Sequence, residues 1–249
     1  MKTSNNTILI TGGSSGIGFA FAEQFLKLGN KVIITGRRKE KLDEAAKQLP
    51  GVIAIHSDVE NAEERNALVK KVTAEFPDVN VLINNAGVQL MTNLAKPVNV
   101  SRVTQELTTN VVAPIDLATQ FAEHFKTKKE AYIINITSGL SFVPIARVAM
   151  YCATKAALHS LTLSLRHELR NTSVKVIEVI PPQVDTKLGA DGRGGDAGTH
   201  GGMPLNEFLE EAMAGLATDE SANGGEIAVG RAKNLREKRE LAFSFMNPS

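Results

Sequence analysis

The fold is decided by residues 7–28, where Thr7-Ile8-Leu9-Ile10 runs into Thr11-Gly12-Gly13-Ser14-Ser15-Gly16-Ile17-Gly18 and then into residues 19–28. The first run is short, apolar and rich in β-branched residues, which is typical of a strand buried on both faces. The stretch after Ile17 has the length and apolar spacing of a helix. A glycine-rich turn between a strand and a helix lets backbone amides approach an anion at the positive end of the helix dipole.

This turn is therefore interpreted as the phosphate-binding loop of a dinucleotide site. A tight strand–helix turn with packing glycines is the alternative. The strand before the loop and the helix after it favour the cofactor interpretation. The predicted phosphate-binding residues are Gly12, Ser14, Ser15, Gly16, Ile17 and Gly18.

The same alternation of strand and helix patterns continues along the chain. Strands are predicted at Thr7–Thr11, Lys31–Thr35, Val52–His56, Val79–Ile83, Ala131–Ile136 and Val174–Ile180, with a last candidate at Leu241–Phe245. Helices are predicted at Gly18–Leu28, Lys39–Leu49, Glu63–Phe76, Val100–Phe125 and Ala149–Leu169. Right-handed crossovers then give an α/β, doubly wound Rossmann fold of about seven parallel strands in the order 3-2-1-4-5-6-7, with helices on both faces.

Composition limits the classes of protein that this chain can belong to. The chain has 249 residues, 43% of them hydrophobic, a formal net charge of +1 and one cysteine. The charge gives no case for binding nucleic acid or an anionic membrane, and one cysteine excludes an internal disulfide or a Cys-rich zinc site. No run of apolar residues suits a membrane span, no histidines have ligand spacing, and we expect a cytoplasmic protein without a metal.

We expect a single dinucleotide-binding and catalytic domain over residues 1–249, since no repeat or linker divides the chain. A glycine-rich substrate loop is predicted at about residues 187–225. Its first part, Gly189 to Gly202, holds seven glycines in fourteen residues and cannot form a stable helix or strand by itself. It is interpreted either as a flexible surface loop or as a mobile lid over a site.

The choice of cofactor depends on the end of the second strand. An acidic residue there binds the ribose 2′-hydroxyl of NAD in folds of this kind. The sequence instead reads Thr35-Gly36-Arg37-Arg38. Guanidinium groups bind a 2′-phosphate with paired donors, so Arg37 and Arg38 favour NADP(H) over NAD(H). Two solvated arginines at a helix start are the alternative.

A candidate catalytic group lies at the start of the fifth predicted helix. Tyr151 and Lys155 are four residues apart and share a helix face, so both side chains can point into one cleft. A nearby cation favours the phenolate form of a tyrosine and lowers its pKa. Ser138, at the end of the strand before, carries a hydroxyl that can hold a substrate carbonyl beside Tyr151.

At this point the chain resembles the short-chain dehydrogenase/reductase family in its common single-domain form. The resemblance runs from Ile8 to about Thr186 and weakens toward the end. It is carried by blocks in the family's order and spacing: Thr11 to Gly18, Asp58-Val59, Asn84-Asn85-Ala86-Gly87, Asn110, Ile136-Thr137-Ser138, Tyr151 to Lys155, and Pro181 to Thr186.

The resemblance implies catalytic roles for four residues. Tyr151 is implied as the general acid in reduction and the base in oxidation. Lys155 is implied to lower the tyrosine pKa and to bind the nicotinamide ribose. Ser138 would orient the substrate oxygen. Asn110 would lie in a kink of the long fourth helix and hold a water that relays protons to Lys155.

The resemblance also implies contacts with the cofactor. Asp58 would bind the adenine with Val59 beside it, and Asn84 would brace the central strands. The remaining residues implied to line the cofactor are Asn85, Ala86, Gly87, Pro181, Val184 and Thr186. Pro182 stands where the family has glycine; it has no amide hydrogen and fixes φ near −65°, so a stiff extended exit from the sixth strand is expected.

The resemblance implies an oxidoreductase that moves a hydride between nicotinamide and a small carbonyl or alcohol substrate, assembled as a homodimer or homotetramer through helices Val100–Phe125 and Ala149–Leu169. The block from Pro181 to Thr186, with Glu226 to Gly230, is similar to a bacterial subgroup named after lipoteichoic-acid D-alanylation genes, a name that reflects gene context.

One alternative function is a nucleotide-binding sensor without turnover, although such proteins usually lose the tyrosine or lysine. A dehydratase or epimerase is the other, disfavoured by the short segment after Thr186.

A few further residues have two open interpretations each. Cys152 is either a small packing residue or a reactive thiol, and packing is favoured. Arg147 and Arg193 lie near the predicted cleft mouth, where each either binds an anionic substrate or solvates the surface. His200, in the glycine-rich stretch, is interpreted as a solvated loop residue.

Overall fold

Seven parallel strands of the described residues form the sheet at the centre of the molecule. A computed structural model of the chain describes residues 1–188, 201–218 and 224–237. The strands are β1 (Thr7–Ile10), β2 (Lys31–Gly36), β3 (Ile53–His56), β4 (Val79–Asn84), β5 (Ala131–Ile136), β6 (Val174–Ile180) and β7 (Glu226–Ala228). Their order is β3-β2-β1-β4-β5-β6-β7, which confirms the predicted doubly wound topology.

Helices cover both faces of this sheet. They are α1 (Gly16–Lys27), α2 (Lys39–Gln48), α3 (Ala62–Glu75), α4 (Val100–Leu107), α5 (Ala113–Phe125), α6 (Ala149–Glu168), α7 (Leu205–Ala217) and α8 (Ala232–Glu237). Because successive strand residues point to opposite faces, Ile8 and Ile10 pack with α1, α2 and α7, whereas Leu9 packs with α3 and α5. Both faces of the central strands are therefore apolar, as their continuous hydrophobic runs predict.

The seventh described strand is one that the sequence pattern does not predict. Residues Glu226–Ala228 pair in parallel with Glu178–Ile180 and complete the sheet. Three residues are too few to give a strand signal in the sequence. The predicted strand Leu241–Phe245 lies outside the described residues.

The predicted substrate loop at about residues 187–225 contains a helix, α7. Its Phe208 is fully buried, and the ring meets Phe21 of α1 edge-on with ring centroids 6.2 Å apart. Helix α7 therefore belongs to the core on the same face of the sheet as α1 and α2. Of the glycine-rich stretch, residues 189–200 lie outside the described residues, and the Gly202 amide donates to Asp185 Oδ1 at 3.1 Å.

The predicted long helix Val100–Phe125 is interrupted. Between α4 and α5 the chain forms a π-helical turn, Thr108–Val112, so that one extra residue is accommodated in the helix. Such turns are rare and often occur at functional sites. Among the described helices, none has the combined length and apolar character that a membrane span requires.

Candidate active site

The glycine-rich loop after β1 packs so closely against its neighbours that two of its glycines have no space for a side chain. Gly12 has φ of +66°, and a Cβ atom placed on it would lie 2.9 Å from Ala86 Cα. A Cβ on Gly18 would lie 2.6 Å from the Gly12 carbonyl oxygen. Ser15 caps α1 without a side-chain hydrogen bond to the first turn, so the side chain of Ser15 leaves the first amides of α1 to other acceptors. This cradle of glycines at a helix N-terminus fits a pyrophosphate.

The ends of β2 and β3 carry the residues predicted to bind the adenosine. Arg37 follows β2, and its guanidinium donates to Glu60 Oε1 at 2.7 Å, with 46% of the arginine side chain exposed. Arg38 is exposed at the N-cap of α2. Asp58 Oδ1 accepts from the Glu60 amide at 3.0 Å, and Val59 is buried beside this turn.

The ends of β1 and β4 are tied together by a threonine. Thr11 Oγ1 accepts from the amides of Asn85 and Ala86, both at 3.1 Å. The Asn85 side chain in turn donates to the Thr11 carbonyl at 2.9 Å. This pairing brings the Asn85-Ala86-Gly87 segment against the glycine-rich loop, as the cofactor interpretation requires.

Asn110 lies in the π-helical turn and holds the chain after β4. Its Oδ1 accepts from the Val88 amide at 2.9 Å, and its Nδ2 donates to the Val88 carbonyl at 2.8 Å and to Thr154 Oγ1 at 3.0 Å. A Cβ placed on Gly87 would lie 3.4 Å from Asn110 Oδ1 and 3.8 Å from Lys155 Nζ. Asn110, Gly87 and Lys155 therefore meet at one point of the sheet edge.

Ser138, Tyr151 and Lys155 meet at the carboxyl edge of the sheet. The hydroxyls of Tyr151 and Ser138 are hydrogen-bonded to one another. Lys155 Nζ donates to the Ile136 carbonyl at 2.8 Å and lies 5.7 Å from the centre of the Tyr151 ring. All three side chains are at most 7% exposed. The structure therefore brings the three predicted groups into one buried cluster.

Burial dominates the titration of this cluster. It raises the pKa of Tyr151, and the hydrogen bond with Ser138 opposes that rise. It lowers the pKa of Lys155 to about 8, against the opposing charges of Glu178 and Glu106. Both effects have the same cause, since a low-dielectric environment disfavours the charged form of each group. Both groups are thus shifted toward their neutral forms in this buried environment.

The block after β6 reaches back to the glycine-rich loop. The Pro181 carbonyl accepts from the Gly139 amide at 2.8 Å, Val184 pairs with Met203 in a short parallel bridge, and Thr186 lies beside Gly16. Pro182 lies beside Gly230, where an added Cβ would be 3.7 Å from the proline ring. The end of this block, Thr186, therefore lies against the glycine-rich loop.

Comparison with known proteins gives the family. A family model described as short chain dehydrogenase matches residues 6–195. The chain belongs to the short-chain dehydrogenase family. It is an oxidoreductase of that family, whose members act on small molecules.

Three relatives illustrate this family membership. An uncharacterized oxidoreductase DltE of Bacillus subtilis is 42% identical over 99% of this chain and 98% of its own length. An NADP-dependent 3-hydroxy acid dehydrogenase of Schizosaccharomyces pombe is 32% identical over 75% of this chain and 74% of its own. The structure of a 3-ketoacyl-(acyl-carrier-protein) reductase from Brucella melitensis, complexed with NADH, is 26% identical with a TM-score of 0.80, covering 93% of this chain and 100% of that one. A nicotinamide cofactor is thus supported for this short-chain dehydrogenase.

Four residues at the site escape the motif analysis. Glu60 binds Arg37, Glu106 Oε1 accepts from the Leu90 amide at 3.0 Å, and Glu178 is fully buried against His159. Two signals in the sequence point to the last pair. Glu178 is a carboxylate inside the apolar run Val174–Ile180, and His159 continues the four-residue spacing of Tyr151 and Lys155. Glu60 and Glu106 give no such signal, because their partners are distant in sequence.

The residues with open interpretations are placed as follows. Cys152 is buried, its Sγ lies 3.3 Å from the Ile145 amide, and burial raises the pKa of the thiol, all of which favours the packing interpretation. Arg147 is exposed, and its carbonyl accepts from the Thr92 amide at 2.9 Å. Arg193 and His200 lie outside the described residues.

Proposed function

We propose that this chain is an NADP(H)-dependent oxidoreductase that transfers a hydride between nicotinamide and a carbonyl/alcohol pair, with Tyr151 as the general acid in reduction and the base in oxidation. The observation that carries the proposal is the buried cluster of Ser138, Tyr151 and Lys155 at the sheet edge where the glycine cradle lies. Binding at this edge is the rule for open parallel sheets whose strand order reverses.

The roles of the cluster follow from its contacts. Tyr151 and Ser138 share a hydrogen bond, so a substrate carbonyl oxygen that accepts from both hydroxyls is oriented and polarised. Lys155, beside the tyrosine ring, favours the phenolate that remains after the proton is given up. Asn110 holds the Val88 backbone near Lys155 and, in this proposal, also holds a water that relays protons to Lys155. The bound nicotinamide supplies the hydride.

The remaining predicted residues bind the nucleotide in this proposal. The glycine cradle takes the pyrophosphate, Asp58 and Val59 take the adenine, and the 2′-phosphate lies against Arg37 and Arg38. The residues proposed to line the nicotinamide half are Asn85, Ala86, Gly87, Tyr151, Lys155, Pro181, Val184 and Thr186. The preference for NADP(H) is supported by the absence of a carboxylate in the sequence Thr35-Gly36-Arg37-Arg38.

The proposal extends to the assembly of the protein. Residues 1–249 form one dinucleotide-binding and catalytic domain, with the segment at about residues 187–225 beside the substrate. The protein is cytoplasmic and forms a homodimer or homotetramer. Exposed apolar side chains on α4, on the π-helical turn and on α6 support packing of copies through these helices, namely Val100, Leu107, Val112 and Leu163. Sedimentation as a monomer at micromolar concentration contradicts this assembly.

A cofactor titration tests the proposed function. Quenching of NADPH and NADH fluorescence is measured for the wild type, for Arg37→Asp and for a matched surface control, Arg170→Asp. We expect tighter binding of NADPH than of NADH, and a loss of about 10-fold to 100-fold in NADPH affinity in Arg37→Asp only, since a charge-assisted hydrogen bond contributes about 1.5–3 kcal/mol. NADH binding as tight as that of NADPH contradicts the NADP assignment.

Turnover is tested with a panel of carbonyl compounds, beginning with 3-oxo acids and 3-oxoacyl derivatives, because one relative is named as a 3-hydroxy acid dehydrogenase and another as a 3-ketoacyl reductase. Tyr151→Phe keeps the ring and removes the hydroxyl that donates the proton. We expect reduction by the wild type and none above background by the variant. Tight cofactor binding without reduction of any compound favours the sensor alternative.

A further inference from the structure

A buried carboxylate lies behind the catalytic cluster. Glu178, in the middle of β6, is fully buried and pairs in register with Asn135 of β5. Its Oε1 accepts from Thr137 Oγ1 at 2.6 Å, and its two oxygens lie 3.0 and 2.9 Å from His159 Nδ1. A buried charge is costly unless it is hydrogen-bonded and faces an opposite charge, so a carboxylate held by two side chains here needs a reason.

The two residues that hold Glu178 belong to the elements that present the catalytic groups. Thr137 directly precedes Ser138 at the end of β5. His159 follows Lys155 by one turn of α6 and lies on the same face of the helix. Because Nδ1 lies against the carboxylate in either charge state of the ring, it carries the hydrogen and donates it. Glu178 therefore joins the end of β5 to the catalytic face of α6.

Lys155 lies close to this carboxylate: its Nζ donates to the Ile136 carbonyl at 2.8 Å, one residue before Thr137, whose hydroxyl donates to Glu178. Burial lowers the pKa of Lys155, and two carboxylates oppose this shift. The effect of Glu178 is larger than that of Glu106 on α4. Tyr151 and His159 are the titratable neighbours of Lys155 on α6 itself. Arg166 of α6 donates to the backbone carbonyls of Val176 and Gly225.

We propose that Glu178 is a positioning residue of the active site: Thr137 and His159 hold its carboxylate as the counter-charge that keeps Lys155 protonated in the buried cleft. This rests on the proposed function, in which a charged Lys155 acts on Tyr151. If Glu178 were only a structural hydrogen-bond acceptor, a neutral acceptor at position 178 would bind Thr137 and His159 equally well. The two roles therefore differ in what happens to the titration of Lys155.

The titration of Lys155 is measured directly on the cofactor-free protein. Heteronuclear NMR of lysine labelled with ¹³C at Cε follows each lysine across pH, and the Lys155 signal is assigned by its loss in Lys155→Arg. In Glu178→Gln, which keeps the shape and an acceptor oxygen, we expect the Lys155 pKa to fall by about 1 or more, as for loss of a close opposite charge. Glu168→Gln, which removes an exposed carboxylate from the end of α6, leaves it unchanged.

His159→Asn separates the holding group from the charge. The asparagine amide replaces Nδ1–H as the donor, so the carboxylate stays and the Lys155 pKa stays close to that of the wild type. A double variant, Glu178→Met with His159→Phe, guards against misfolding, because apolar residues of similar volume often replace a buried polar pair without loss of stability. We expect this double variant to lower the Lys155 pKa as well, because it also lacks the carboxylate. An unchanged Lys155 pKa in either folded variant that lacks the carboxylate overturns the proposal.

The same variants separate this inference from the proposed function. If carbonyl reduction occurs, the alkaline limb of kcat/KM moves to lower pH in Glu178→Gln and stays in place in His159→Asn. If no carbonyl compound is reduced, the NMR titration still decides the role of Glu178. A shifted limb with an unshifted Lys155 pKa contradicts the counter-charge role alone.

Discussion

Arg37 donates to Glu60 across 2.7 Å, and this ion pair joins the end of β2 to the turn after β3. The same Glu60 Oε1 accepts from Gln105 Nε2 and from Thr109 Oγ1, both at 3.0 Å. The arginine proposed to take the 2′-phosphate thus already has a carboxylate partner. That partner is anchored to α4 and to the π-helical turn that carries Asn110. A phosphate at Arg37 has to share the guanidinium with this carboxylate.

Removal of the charge on Glu60 is expected to favour NADPH. Glu60→Gln keeps an acceptor oxygen for Thr109 but no longer neutralises Arg37. Since an exposed ion pair contributes about 0.2–1 kcal/mol, NADPH affinity should rise by up to about 5-fold, with little change for NADH. Fluorescence titration measures both. The control is Glu75→Gln, a carboxylate paired with Lys71 on the surface of α3, and weaker NADPH binding by the Glu60 variant contradicts the expectation.

Gly12 is expected to be irreplaceable for a reason beyond its backbone angle. Gly12 and Gly29 both have positive φ, but a Cβ on Gly12 would lie 2.9 Å from Ala86 Cα, whereas one on Gly29 meets nothing within 4 Å. Gly29→Ala should therefore cost about 1 kcal/mol of unfolding free energy, and Gly12→Ala about 2–3 kcal/mol together with nucleotide binding. Urea unfolding of the two variants gives the comparison. Equal losses show that the close approach to Ala86 is unimportant.

Loss of the Asn110 side chain is expected to destabilise the segment after β4. The amide makes two hydrogen bonds with the Val88 backbone, and Asn110→Ala leaves both backbone groups without that partner. We expect a loss of about 2 kcal/mol or more in unfolding free energy. Asn93→Ala, which removes one exposed loop hydrogen bond, should cost no more than about 0.5 kcal/mol. If Asn110→Ala loses as little unfolding free energy as Asn93→Ala, Asn110 does not stabilise the segment after β4.

The buried Lys155 predicts a stability that depends on pH. Its pKa is about 8 in the folded protein against 10.5 for an ordinary exposed lysine, so below pH 8 both the folded and the unfolded state hold the proton and the full cost of burying the charge applies. Above pH 8 the folded state releases the proton first, and the cost falls as pH rises toward 10.5.

Comparison with Lys155→Met isolates this effect. At pH 7 the variant lacks the buried charge but also the hydrogen bond to the Ile136 carbonyl. The neutral amine still donates to this carbonyl, and any weakening of the bond is already contained in the folded-state pKa, so the wild type should gain up to about 3 kcal/mol on the variant between pH 8 and 10. Unfolding free energies of both proteins across this range measure the gain. A constant difference shows that Lys155 titrates as an ordinary exposed lysine.

Most of the fold is encoded in local patterns. The strands up to Val174–Ile180 are predicted by short continuous apolar runs, because each strand is buried on both faces. The helices between them are predicted by helical spacing of apolar residues, because each helix is buried on one face. The glycine-rich loop is also a local pattern, because its backbone has to approach neighbouring backbone more closely than a side chain would allow. Gly12 beside Ala86 is an example. The tyrosine and lysine of α6 share a face because their spacing dictates it.

The tertiary structure decided what depends on contacts between distant parts of the chain. Glu226–Ala228 is a strand only because β6 offers it an open edge, and α7 is held by Phe208 in a core that residues near Phe21 provide. The Glu60 and Glu178 carboxylates obtain their roles from Arg37, Thr109, Thr137 and His159, which no local period connects with them. The Lys155 pKa also depends on folding, because only the folded chain removes water from that side chain.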